Sequence, residues 1–141
     1  MANKALIRMA TATHQFWFRL SGGVLGGKIG NSRVLLLTTT GRKSGKRWTT
    51  PLFYLPDGER MVIVASFAGS PQHPTWYLNL RAQPQAEVEL GRERKRVVAR
   101  TADEAERAQL WPRLVEMYKN YADYQTKTTR TIPVVILEPA G

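Results

Sequence analysis

Residues 33–55 read RVLLLTTTGRKSGKRWTTPLFYL, and this stretch decides the fold. Residues 33–40 form an apolar, β-branched run of strand length, and residues 48–55 form a second. The two runs are expected to pair as strands across the turn between them. Pro51 cannot donate to a β-ladder, so it should mark an edge, a bulge or a strand end. The turn itself carries four cations, Arg42, Lys43, Lys46 and Arg47, punctuated by Gly41 and Gly45. Backbone N–H groups freed at the glycines, ringed by ammonium and guanidinium groups, suit a phosphorylated or polycarboxylate ligand. A solvated hairpin tip is the plainer alternative. The turn is not an NTPase phosphate loop: Gly45 follows Gly41 by four residues instead of five, and a strand follows where a helix is required.

Moving toward the C-terminus, Pro56-Asp57-Gly58 has the chemistry of a tight turn, and residues 60–67 (RMVIVASF) read as a third strand. Residues 68–74 form a loop, and Pro74 opens a short helix carrying Trp76, Leu78 and Leu80. Residues 86–90 and 94–100 alternate as a hairpin around Gly91-Arg92. Thr101-x-x-Glu104 has the spacing of a capping box and should open a helix toward Tyr118, with an apolar stripe of Leu110, Trp111, Leu114, Val115 and Tyr118. Pro112 implies a kink or restart in that helix, and residues 132–137 close the chain as a strand. Strands joined mainly by hairpins indicate an α+β, mainly antiparallel barrel with rim helices.

Toward the N-terminus, residues 3–20 have the periodicity of a basic amphipathic helix, which would either pack on the domain or lie on an anionic membrane surface. A Gly-rich link, residues 21–30, follows; its glycine spacing does not fit a dinucleotide fingerprint. The expected organisation is therefore a helix and link over 1–30 and a barrel domain over 31–141.

The chain has 141 residues and a net charge of +10, and no acidic residue precedes Asp57. A pI near 10.4 raises nucleic acid as a partner. Most aromatics sit in apolar contexts, such as residues 52–55, and no nucleic-acid motif occurs, so that partner is disfavoured. No cysteine is present, and the two histidines, His14 and His73, show no ligand-like spacing. Disulfides, thiolate catalysis and cysteine metal sites are excluded, no metal is expected, and redox chemistry here requires an organic cofactor. The N-terminus lacks a continuous apolar core and no run is long enough to span a bilayer, so a cytoplasmic protein is expected.

Three clusters accompany the basic turn. Residues 70–80, SPQHPTWYLNL, combine a tight loop with a helix start, a natural site for an anion or carbonyl. Tyr118, Tyr121 and Tyr124 place three phenols at intervals of three. Residues 129–135 (TRTIPVV) lead into the last strand.

LLTTTGRKSGK, TPLFYL, HPTWYLNL and YADYQTKTTRTIPVV, in this order, resemble the deazaflavin-dependent nitroreductase family, small proteins that bind coenzyme F420. The resemblance covers roughly residues 33–139. It implies a split β-barrel and a hydride transfer from reduced deazaflavin to a quinone, nitroaromatic or activated enone. Arg42 and Lys43 match the basic pair that holds the cofactor's phosphate and oligoglutamate tail, with Lys46 in support. Pro51, Leu52 and Phe53 would lie along the deazaflavin ring, with Trp76 and Asn79 flanking it. Ser66 would stand at the active-site end of the third strand. Tyr118, Tyr121 and Tyr124 would cover the substrate pocket, with Tyr121 or Tyr124 supplying a proton. Two departures stand out: Trp48 occupies the place of an arginine, with Arg47 one position early, and Phe53 replaces a common tyrosine. The resemblance also leaves room for a homodimer. An FMN- or haem-binding split-barrel protein and a non-catalytic F420 carrier are the alternative readings.

Overall fold

A computed structural model describes residues 28–29 and 32–140. The two runs flanking the basic turn do pair. Strand β2 (Ser32–Thr40) runs antiparallel to β3 (Arg47–Asp57), with Thr40 opposite Arg47 and Arg33 opposite Tyr54. The apolar run of β2 is continuous because both its faces are buried. Leu35 and Leu37 point into the barrel, where they meet Met61, Ile63, Val88, Val97, Val135 and Leu137. Val34 and Leu36 pack on the other face with Phe53. Each of these fully buried aliphatic side chains contributes about 1.5–3 kcal/mol relative to exposure.

The sheet order is β1 (Lys28–Ile29), β2, β3, β4 (Arg60–Val64), β7 (Val134–Pro139), β6 (Glu93–Thr101), β5 (Gln85–Leu90), all in antiparallel pairs. Pairing of Leu36–Thr38 with residues 87–89 of β5 brings the ends together, so β2 to β7 form a closed six-stranded barrel. The barrel is split on one side. β3 pairs with β4 only over Leu55–Asp57, and among the described residues no strand flanks residues 47–54 on the side away from β2. Pro51, opposite Leu36 of β2, lies on this open edge, the first of the three placements (edge, bulge or strand end) expected of it.

Helix α1 (Thr75–Ala82) closes one end of the barrel with Trp76, Tyr77 and Leu80, and Tyr77 Oη meets Thr101 Oγ1 at 2.9 Å. Helices α2 (Glu104–Met117) and α3 (Asn120–Thr126) cover the outward faces of β4 and β7. There Leu110, Leu114 and Tyr121 pack with Val62, Val64, Val134 and Ile136.

Five details differ from the sequence expectations. The capping box is Asp103 with Glu106, not Thr101 with Glu104; Thr101 is held in β6 opposite Val135, so the helix cannot begin there. Pro112 sits inside α2 and the break falls at Tyr118. A separate helix, α3, carries the second and third tyrosines. The third strand stops at Val64: Ser66 already takes helical angles (φ −75°, ψ −38°), and Phe67 and Ala68 follow with left-handed ones (φ 45° and 53°) in a 3-10 turn, Phe67–Gly69. The Gly-rich link contains the short strand β1 at its end. The proposed N-terminal helix, residues 3–20, lies outside the described residues.

Candidate active site

The basic turn is built around its own backbone. Gly41 N–H donates to Lys46 O at 2.7 Å and Gly45 N–H donates to Gly41 O at 2.9 Å. These two groups therefore close the turn, contrary to the expectation that they face a ligand. Gly45 has φ +73°, which favours glycine. At Gly41 a Cβ would stand 2.8 Å from Ser44 Oγ and 3.2 Å from Lys46 O, so a side chain there would require the Ser44 hydroxyl to turn away and the turn to give slightly. From α1, Asn79 reaches across: its Oδ1 accepts Arg42 N–H at 3.1 Å and its Nδ2 donates to Thr39 Oγ1 at 3.2 Å. Asn79 is only 1% exposed, and its amide is committed to shaping the turn.

Arg42, Lys43 and Lys46 are exposed. The ion pairs among the described residues leave these three cations without an acidic partner. Arg47 is different, pairing with Glu87 at 3.0 Å. Its departure from the family spacing thus coincides with partial neutralisation. Three uncompensated cations on a rigid turn fit an anionic tail.

From this turn, the open edge of β3 leads toward an aromatic cluster. Residues 47 and 53 are roughly 20 Å apart along an extended strand. Pro51, Leu52 and Phe53 are all half-buried along it. Phe53 meets Tyr118 with ring centroids 5.1 Å apart, and Tyr118 meets Tyr121 edge-on at 5.0 Å. Tyr118 Oη and Tyr124 Oη lie 3.3 Å apart, and Asn120 Nδ2 donates to Tyr118 Oη at 2.9 Å. The structure thus joins Phe53 to all three tyrosines. Burial, with smaller repulsion from Tyr118 and Tyr124, pushes the Tyr121 phenol well above the usual tyrosine range. The hydrogen bond to Tyr118 does most to raise Tyr124. Both phenols are protonated at neutral pH and able to donate.

The segment between β4 and α1 borders this cluster. An added Cβ on Gly69 (φ +79°) would stand 2.9 Å from Tyr124 O and 3.0 Å from Lys127 Cβ, so the 3-10 turn lies tight against the end of α3. Ser66 precedes that turn, and its carbonyl is held by Arg130. Trp76 is 7% exposed and packs edge-on against Tyr77 in the barrel core. Two functional candidates were not singled out by sequence reasoning. Asn120 orients Tyr118, and Arg130 grips the 65–73 segment. Arg130 sits in the TRTIPVV stretch before the last strand, but its partners are 57 to 65 residues away and no local signal reveals them.

The sequence pattern of the F420H(2)-dependent quinone reductase family matches residues 9–139. An F420H(2)-dependent quinone reductase of Mycobacterium tuberculosis is 41% identical over 128 residues, covering 88% of this chain and 86% of that protein. A solved F420-H2 dependent reductase superposes with a TM-score of 0.69 at 43% identity, over 74% of this chain and 93% of that one. A solved domain-swapped dimer superposes with a TM-score of 0.70 at 43% identity, over 74% of this chain and 79% of that one.

Proposed function

The chain belongs to the F420H(2)-dependent quinone reductase family, and on that premise we propose how its residues hold the deazaflavin and the electron acceptor. The protein is an F420H2-dependent oxidoreductase. When bound, the reduced deazaflavin supplies the hydride, and the protein supplies alignment, exclusion of water and a proton.

Arg42, Lys43 and Lys46 hold the anionic phosphate and tail, and Arg47 contributes less because Glu87 already pairs with it. Pro51, Leu52 and Phe53 form the wall along the ring. Asn79 acts through the turn it braces, and Trp76 backs that wall from the core. Tyr118, Tyr121 and Tyr124 cover the acceptor, with Ser66 at the margin. Reduction of a quinone, nitro group or enone builds negative charge on oxygen. Tyr124 Oη, hydrogen-bonded to Tyr118, or Tyr121 Oη delivers the proton there.

The observation that carries this reading is the contact of Phe53 with Tyr118. It brings the open strand edge and the phenols together at the far end of a strand that begins in the basic turn. Titration with oxidised F420, with FMN as control, followed by F420H2 oxidation with menadione added, tests it. Tight F420 binding and acceptor-dependent oxidation are expected. FMN or haem binding without F420 binding overturns it, and binding without turnover with any quinone, nitroaromatic or enone leaves a carrier.

We also infer that two copies of the chain pair, a reading supported by the domain-swapped relative. Light scattering should give a dimer mass. Among the described residues no helix is long and apolar enough to cross a membrane. We place the protein in the cytoplasm, with residues 3–20 touching anionic membrane. Co-flotation with phosphatidylglycerol vesicles, lost on deleting those residues, is the expected result.

A further inference from the structure

Arg130 makes four contacts with one short segment. Nε donates to Ser70 O at 2.9 Å, Nη2 to Ser66 O at 2.8 Å, and Nη1 to Ala65 O at 3.2 Å. Nη1 also lies 3.1 Å from His73 Nδ1. A guanidinium can only donate, so His73 Nδ1 is the acceptor and the ring proton sits on Nε2. No ion pair among the described residues gives Arg130 an acidic partner. Among the described residues, carbonyls and the His73 imidazole are what hold its charge.

The segment so gripped is unusual. Phe67, Ala68 and Gly69 are three consecutive left-handed residues, and only the last is a glycine. Non-glycine residues adopt this conformation only where the surroundings enforce it. The carbonyls that Arg130 binds lie just before and just after these three residues. The turn presents Phe67, a large apolar side chain 50% exposed, beside the helix that carries Tyr121 and Tyr124.

We propose that Arg130 and neutral His73 form a positioning clamp that holds the Phe67–Gly69 turn in its left-handed form, so that Phe67 serves as an apolar wall for the acceptor, and that protonation of His73 releases the clamp. The inference rests on the site reading given above. The groups facing His73 are Arg130, Arg81 and the ring of Tyr77, whose centroid is 4.9 Å away. Burial, then Arg130 and Arg81, hold its imidazole below the usual histidine value of 6.5. Protonated His73 loses its acceptor and becomes a cation facing two others. The clamp is therefore intact at neutral pH and is lost as pH falls through that lowered value.

The test measures F420 affinity, then kcat and acceptor KM with saturating F420H2 and menadione, from pH 5 to 8. Wild type is compared with Arg130→Lys, Arg130→Ala, Phe67→Ala and His73→Gln. At pH 7.5, both Arg130 variants and Phe67→Ala should raise the KM at least tenfold while F420 affinity changes less than threefold. The wild-type KM should rise below pH 6.5, and His73→Gln, whose amide oxygen accepts without titrating, should abolish that rise. Nitrogen NMR of His73 should show Nδ1 bare and Nε2 protonated at pH 7.5. An unchanged KM in an active Arg130→Lys protein, an acid limb that survives in His73→Gln, or a proton on Nδ1 overturns the clamp. If wild type shows no F420-dependent turnover, the site reading fails, and the NMR result still decides the clamp.

Discussion

Asn79 Oδ1 accepts the backbone N–H of Arg42 at 3.1 Å, so the basic turn hangs from a helix 37 residues further along the chain. The same amide donates to Thr39 Oγ1 in the strand that leads into the turn. A nearly sealed side chain therefore fixes the conformation of an exposed loop. Asn79→Ala strands two polar groups where water reaches poorly. The expected cost is about 1–3 kcal/mol of stability. F420 affinity should fall about tenfold, because Arg42 and Lys43 lose their fixed geometry. Thermal melting and a cofactor titration read the two effects separately.

The turn's cations should differ in importance. Arg42→Ala and Lys43→Ala are each expected to weaken F420 binding by about tenfold, equivalent to about 1.4 kcal/mol. Turnover at saturating cofactor should change less than threefold, since these groups lie far from the phenols. Arg47→Ala should weaken binding less than threefold, because Glu87 already partly neutralises it. Raising salt from 50 to 500 mM should erase much of the difference between wild type and the first two variants. Affinities that ignore all three substitutions count against the turn as the grip.

Much of this was legible from residues alone, and the failures share a cause. The β2 run and the TTTGRKSGKR turn announce themselves by local chemistry, and the strand pairing follows. Helix α3 escaped because its seven residues bury only Tyr121 and no side-chain cap marks its start. Thr101-x-x-Glu104 and Asp103-x-x-Glu106 fit the same capping pattern, and only the pairing of Thr101 with Val135 chooses between them. Asn79 and Arg130 act on backbone groups distant in sequence, which no local pattern encodes. The tyrosine cluster was visible as spacing, but its contact with Phe53 needed the split between β3 and β4.

The phenols should have separable roles. Tyr124→Phe removes one of the two partners of the Tyr118 hydroxyl, leaving Asn120 and the ring, so turnover should fall about 10–100-fold with little loss of stability. Tyr121 is 5% exposed and packs in the outer core, so Tyr121→Ala should cost about 3–5 kcal/mol of stability. Because both phenols sit above their ordinary value of 10.0, the donor form persists through neutral pH. Any alkaline loss of rate due to them should begin only above about pH 10. Turnover unaltered in both Tyr121→Phe and Tyr124→Phe would reduce them to packing groups.

Acid sensitivity should trace to Asp57 and Glu106. Hydrogen bonds from Arg60 and then Arg113 hold the Asp57 carboxyl below its usual 3.8. The Arg100 side chain, then the Asp103 backbone, pull Glu106 down to about 2. A lowered folded-state value means stabilisation that is present above the unfolded value and lost as pH falls through the folded one. The melting temperature should therefore decline from about pH 5 toward pH 2. Asp57→Asn should flatten part of that decline, and an identical acid profile in this variant would assign the loss elsewhere.

Gly69 is the place where the acceptor-side turn is most vulnerable. Its φ of +79° already disfavours an L side chain, at about 1–2 kcal/mol. A methyl group would also press against Tyr124 O at 2.9 Å and Lys127 Cβ at 3.0 Å, and the backbone oxygen cannot swing aside like a flexible side chain. Gly69→Ala should therefore push the turn away from α3 as well as destabilise the fold, by about 2–4 kcal/mol in total. Gly45→Ala makes a useful comparison, because it shares the positive φ (+73°) but meets nothing within 4 Å. It should cost only the conformational part. If the two variants melt together and leave the acceptor KM alike, the turn does not need its close seat on the tyrosine helix.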